Sequence, residues 1–177
     1  MKGLSIGIGG VSRAGKTTLS NYIKSLYPKK STFLLEMDHF VKNEADIPKV
    51  RNHTDWEHPI SVDFEKLKIA LEEALDKFDI VITEGILIFY SQELNKLFDK
   101  RIFINVPKSV FCKRKREDKR WGNEPDWYID YIWESYLKYG KLKDADNNTL
   151  YVHGTEDWSP MLIDEHLYKV ELAPSSY

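Results

Sequence analysis

Short apolar runs and stretches of helical period alternate along this chain. Leu4–Gly9, Thr32–Glu36, Asp79–Thr83, Arg101–Val106 and Thr149–Val152 read as strands. Phe64, Leu67, Leu71, Ala74, Leu75 and Phe78 recur at steps of three and four, one face of a helix, with Ser61 or Asp63 as its cap. An earlier helix opens around Thr18 and runs to about Leu26, stopping before Pro28. Ile129, Ile132, Trp133, Tyr136 and Tyr139 predict another over about Asp126 to Leu142, and a last one covers roughly Ser159 to Val170. Strands alternating with helices predict an α/β fold, a five-stranded parallel sheet between layers of helices. Two stretches fit neither period. One is the polar, proline-bearing Val41–Pro59; the other is the charged Lys113–Arg120 with the following Trp121–Pro125. The chain shows no internal repeat, and Ala173–Tyr177 is expected to fray.

The connection after the first strand carries the strongest chemistry. Gly10-Val11-Ser12-Arg13-Ala14-Gly15-Lys16-Thr17 matches G-x-x-x-x-G-K-[ST], between an apolar strand and a helix. In that setting glycines let the backbone curl, so that its N–H groups and the helix N-terminus face a polyphosphate. Lys16 then reaches the outer phosphates, and the Thr17 hydroxyl can ligate Mg²⁺. This predicts a three-layer P-loop NTPase fold that binds a nucleoside triphosphate, with a contact surface of Gly10, Val11, Ser12, Arg13, Ala14, Gly15, Lys16, Thr17 and Thr18.

Two carboxylates follow strands. Asp38 comes after the second, in Glu36-Met37-Asp38-His39-Phe40, and Glu84 follows Ile80-Val81-Ile82-Thr83. Functional groups in an open parallel sheet gather beyond the carboxyl ends of strands, where the P-loop also lies. Asp38 there can accept a proton from a hydroxyl, orient it, hold a metal-bound water, or simply cap a turn. Glu84 suits Mg²⁺ or its water. The run Lys113–Arg120 has six basic and two acidic residues, a net +4. It reads as a solvated helix face, a nucleic-acid patch, or a lid over phosphates; a triphosphate that needs neutralising favours the lid, over about residues 113–125. Arg116 and Arg120, four apart, are the arginines expected to point inward. In Asp55-Trp56-Glu57-His58-Pro59, an aromatic beside a carboxylate can stack on a base and hold ribose hydroxyls, in a substrate-binding insertion over about 41–60.

Composition adds bounds. A chain of 177 residues is expected to be one domain, and its net charge of −2 gives no global reason to bind nucleic acid. Cys112 is the only cysteine, which rules out an intramolecular disulfide and fits an intracellular setting. No apolar run approaches the ~18 residues of a membrane span, and the first strand begins too early for a signal peptide. The expected location is cytoplasmic.

On these residues the chain resembles the uridine-kinase-like branch of the P-loop kinases, and within it the nicotinamide riboside kinases, over nearly its whole length. The similarity lies in Gly7–Leu19, Met37-Asp38-His39-Phe40, Thr83–Phe89, Cys112–Arg116, Pro125–Tyr128 with Trp133–Tyr139, and Val152-His153-Gly154-Thr155. The family often has a second acid at His39, Tyr or Phe at Trp56, and Asp at Glu57. Asp55–Pro59 is also similar to the Asp-His-Pro cluster of uridine kinases. The resemblance implies ATP- and Mg²⁺-dependent phosphorylation of a ribonucleoside 5′-hydroxyl. Asp38 would be the base, Trp56 the stacking residue, Glu57 the ribose ligand, and Gly154 and Thr155 the border of adenine. A cationic pyridinium nucleoside gains most from a Trp face and a nearby carboxylate, which favours nicotinamide riboside over uridine or cytidine. The partner is then a small nucleoside, with neither nucleic acid nor membrane, and the chain a monomer or small homo-oligomer. Pantothenate-type alcohols are weaker alternatives. A GTPase-like switch lacks the guanine-reading N/T-K-x-D motif.

Overall fold

The structure is a computed structural model that describes residues 2–120, 122–143 and 147–168. Trp121 of the expected lid, the end of the last expected helix and the C-terminal residues expected to fray lie outside the described residues. Strands β1 (Leu4–Gly10), β2 (Thr32–Glu36), β3 (Lys49–Val50), β4 (His53–Thr54), β5 (Ile80–Gly85), β6 (Lys100–Asn105) and β7 (Thr149–His153) occur in that order. Helices α1 (Lys16–Leu26), α2 (Phe64–Leu75), α3 (Gln92–Asn95), α4 (Lys108–Glu117), α5 (Asp126–Ser135) and α6 (Pro160–Tyr168) are interleaved with them.

Five strands form one parallel sheet in the order β2-β5-β1-β6-β7. Residues 5–10 of β1 and all of β5 are buried, as central parallel strands covered on both faces must be. Their continuous apolar runs, which show no alternation, reflect that double burial. The chain steps from β1 towards β2 on one side, then crosses to β6 and β7 on the other. A crevice therefore opens beyond the carboxyl end of β1, where the direction of winding reverses. Register sets what lines it: Glu36 of β2 is level with Glu84 of β5, which is level with Ile8 of β1.

All five expected sheet strands are present, within two residues at each end. The helices differ more. Asp63 caps α2 by accepting the Lys66 N–H, and the chain leaves the helix at Leu75 because the N–H groups of Lys77 and Phe78 both donate to the Ala74 carbonyl. The helix expected to run to Leu142 is α-helical only to Ser135. It widens into a π-turn over Tyr136–Gly140, which stacks Tyr136 on Phe103 and seats Gly140 against the Ile86 carbonyl.

The basic run, expected to follow no period, is largely helix: residues 113–117 are the last turns of α4. Pro107 precedes the helix and Phe111 anchors it, fully buried against Trp133. The polar insertion is also better ordered than its composition implies. It folds into the β3–β4 hairpin, which docks on α5 by stacking His53 on Tyr128 at 4.9 Å and placing the Arg51 guanidinium 4.2 Å from the Trp127 ring centre.

Phe111 is the apolar root of α4, so truncating it should loosen the helix that carries the basic residues. Phe111→Ala should destabilise the fold by about 3–5 kcal/mol in urea unfolding. A loss below ~1 kcal/mol would show that α4 is held by its charges instead.

Candidate active site

The P-loop bends because two of its residues accept left-handed backbone: Arg13 at φ 63° and Gly15 at φ 105°. Gly15 is the N-cap of α1 and supplies no side-chain cap, so the first N–H groups of the helix face the crevice. Lys16, the first helical residue, is buried and donates to the Val11 carbonyl at 3.2 Å. Burial holds its pKa below the ordinary lysine value, while Glu84, Asp38 and Glu57 oppose that shift and Arg120 adds to it.

The crevice is a cleft of about 590 Å³ lined by residues 12–18, Glu36, Asp38, Glu84, Ile86, Arg114, Arg120, Gly154 and Trp158. Asp38 reaches it from a 3₁₀ turn over Met37–Phe40 that continues β2. That turn sits where it does because Met37 packs on Gly85: a Cβ at Gly85 would lie 2.5 Å from the Met37 Cβ. Asp38 is exposed and lies within the turn, whose N-cap position is Glu36. Glu84 ends β5 and accepts the Thr17 hydroxyl. Burial raises its pKa against the pull of Lys16 and Thr17, and the neighbouring Asp38 and Glu36 add to the rise.

For a magnesium ion this chain offers a hydroxyl and a carboxylate, Thr17 and Glu84, already in contact. Among the described residues no group of three or more His, Cys, Asp or Glu side chains forms a metal cage. That sparse set fits Mg²⁺, which keeps several waters and takes phosphate oxygens as ligands.

In the insertion, side chains alternate inward and outward. Asp55 and Glu57 are buried, whereas Trp56 is 39% exposed. The Asp55 carboxylate accepts the Tyr131 hydroxyl. Burial pushes the Glu57 carboxyl up to about 8, although Lys115 and Lys16 pull it down. Lys115, from the basic run, is itself buried and pairs with Glu124 at 3.0 Å.

Among the expected contact residues, 12–18, Asp38, Glu84, Arg120 and Gly154 line the cleft. Gly10, Val11, Thr155, Trp56 and Glu57 are not among the residues that line it. Arg116 is a correction: its guanidinium is exposed and paired with Asp126 at 2.9 Å, away from the cleft. The helix explains this, because Phe111, Lys115 and Asp118 form the buried face and Arg116 points off it. Arg114 enters instead, donating to the carbonyls of Arg13 at 3.1 Å and Gly154 at 2.7 Å. Pro107 followed by an apolar Phe111 was the sequence signal for that helical register. Glu36 and Trp158 also line the cleft, and no spacing marked either of them.

No family model matches the chain. It is 27% identical over 175 residues to nicotinamide riboside kinase 1 of Homo sapiens, covering 88% of this chain and 86% of that one. It is 27% identical over 162 residues to a uridine kinase of Streptococcus agalactiae, covering 77% of each. A solved structure of a possible uridine kinase from Bacillus stearothermophilus superposes with a TM-score of 0.50 at 20% identity, over 77% of this chain and 84% of that one. The resemblance read from the sequence is borne out: curated homologues are nicotinamide riboside kinases and uridine kinases, and the fold is the α/β P-loop fold expected.

The buried Glu57 makes stability depend on pH. Its folded value of about 8 lies above the unfolded 4.5. Between those values the folded chain holds a proton that the unfolded chain has lost, so stability falls as pH rises through this window. Glu57→Gln removes the loss. Its melting temperature should exceed the parent's by a margin smallest near pH 5 and widest at pH 9. A margin that does not grow with pH would mean that Glu57 ionises freely in the fold.

Proposed function

We propose that this chain transfers the γ-phosphoryl group of ATP to the 5′-hydroxyl of a ribonucleoside, with nicotinamide riboside preferred over uridine and cytidine. The observation that carries this reading is the convergence of Lys16, Asp38 and Glu84 in one cleft at the carboxyl end of the sheet. Homologues that are named kinases support a P-loop nucleoside kinase, and among them the two nucleoside specificities leave the acceptor to be assigned by the site.

The P-loop N–H groups and the uncapped start of α1 bind and orient the triphosphate. Lys16 places a charge at the outer phosphates without a hydration shell to strip, since burial has already removed it. Thr17 and Glu84 would hold Mg²⁺, which would supply positive charge against the negative charge that develops during transfer. Asp38, exposed and uncommitted, takes the acceptor hydroxyl proton. Its negative charge acts on both Lys16 and Arg120. Arg114 and Arg120 border the donor phosphates, and Gly154 with Thr155 borders the base.

On the acceptor side, Glu57 is a buried carboxyl group near Lys16, raised by burial to about 8 and suited to ribose hydroxyls, and the adjoining Trp56 offers an indole face. A pyridinium ring gains about 0.5–2 kcal/mol over a neutral base on such a face, and 1.4 kcal/mol is about tenfold in selectivity. The basic run then serves the phosphates and α4's own packing, with no nucleic-acid role. The partner is a small nucleoside in the cytoplasm.

An ADP-release assay over a panel of nucleosides tests the reaction. Asp38→Asn should lower kcat by about 10²–10⁴-fold with little change in ATP affinity. Near-parental kcat would remove Asp38 from the chemistry. Trp56→Ala should cut kcat/KM for nicotinamide riboside more than for uridine. A parent that prefers uridine or cytidine overturns the acceptor assignment and leaves the kinase reading intact.

A further inference from the structure

One acid in the basic run is buried. Asp118, at the end of α4, is 8% exposed, whereas its basic neighbours Lys119 and Arg120 are exposed. Its carboxylate is the hub of a compact set of contacts. The Arg120 Nε donates to Oδ1 at 2.9 Å and to Oδ2 at 3.2 Å, and the Arg120 Nη2 donates to Oδ2 at 2.7 Å. The Arg120 backbone N–H also donates to Oδ1 at 3.2 Å, which pins the turn that carries the arginine. From the opposite side the P-loop residue Arg13 brings its Nε to 3.7 Å from Oδ2. The two guanidiniums hold the Asp118 carboxyl well below the usual range.

Both arginines line the phosphate-binding cleft, and they come from elements far apart in sequence. The Arg120 side chain is 63% exposed, so this pair contributes little to stability. What a two-point carboxylate–guanidinium contact supplies is geometry. Asp118 uses the Nε and Nη2 edge of Arg120. That leaves Nη1 as the part of the fork not committed to it, on a side chain close enough to Lys16 to lower that group's pKa and to Asp38 to have its own raised.

We propose that Asp118 is a positioning residue: its carboxylate sets the guanidiniums of Arg120 and Arg13 at the mouth of the cleft, so that they meet the transferring phosphoryl group in register. This rests on the phosphoryl-transfer reading above. It also makes an unusual demand. Lys16, Arg13, Arg114 and Arg120 all line the cleft, and Asp118 pairs with two of them, Arg13 and Arg120. Removing its charge makes the cleft more attractive to an anion while leaving the arginines unaligned. Turnover should fall without loss of donor affinity, a split that simple loosening of the fold would not produce.

The test uses the full chain, with nucleoside phosphorylation for kcat and calorimetric titration of ATP for affinity. Asp118→Asn should lower kcat by about 10–100-fold, the effect of a small misplacement of a reacting partner. ATP should bind as tightly as to the parent or more tightly. On an Arg120→Ala background the same change should cost clearly less than in the parent, because only its hold on Arg13 is then left to lose. Should Asp118→Asn fail to fold, Asp118→Glu keeps the charge, shifts the carboxylate by one methylene, and should show the same split. Parental kcat overturns the positioning role. So does a full independent loss on the Arg120→Ala background, or ATP affinity falling in step with kcat. A parent that phosphorylates no nucleoside overturns the kinase reading and this role together, whereas an active parent with an equally active Asp118→Asn variant overturns this role alone.

Discussion

The Lys16 ammonium is buried at the first turn of α1, and the rest of the site is arranged around the cost of keeping it there. An isolated charge in that position would lose its proton or unfold the loop. It is retained because the Val11 carbonyl accepts from it and because carboxylates arrive from three other elements: Glu84 from β5, Asp38 from the turn after β2, and Glu57 from the insertion. Two of those acids are in turn disturbed by their surroundings. Glu84 and Glu57 are pushed up by burial and pulled back by the same lysine. A cleft with that balance is short of negative charge on one wall and rich in it on the other. A polyphosphate and a hydroxyl acceptor require that division.

The parallel sheet makes this convergence possible. Because β2, β5 and β1 run in the same direction and in register, their carboxyl ends deliver Glu36, Glu84 and the P-loop to one edge. The helices then close the remaining sides. Helix α4 contributes most: one face is rooted by Phe111, and from the same helix Arg114 ties the P-loop carbonyl of Arg13 to Gly154, while Lys115 turns towards the insertion. The P-loop and the insertion therefore both meet a single helix.

That helix changes how the basic run is understood. A cluster of six cations suggests a mobile electrostatic cover, yet the structure divides them by helix face. Lys115 is buried, Arg114 is committed to two carbonyls, Arg116 is paired in solvent with Asp126, and Arg120 is held by Asp118. Similar sequence chemistry is thus given four different jobs, three by the helical repeat of 3.6 residues and the fourth by the turn that follows α4.

The sequence by itself determined the phosphate-binding loop, the α/β class and the five strands of the sheet. Each of these is a local pattern: a spaced set of glycines with Lys16 and Thr17, or an apolar run between turns. It also exposed Asp38 and Glu84, because both sit immediately after such runs. What it could not supply was direction. Arg114 and Arg116 differ by two positions and carry the same group, and only packing around Phe111 decides that the first faces the cleft and the second faces water. Glu57 and Trp56 are adjacent, and only docking of the hairpin on α5 buries one and exposes the other. Glu36 and Trp158 reach the cleft through strand register and through a loop far along the chain. The backbone pattern is written in near-neighbour chemistry; the orientation of a polar side chain depends on partners distant in sequence, and only the folded chain brings those together.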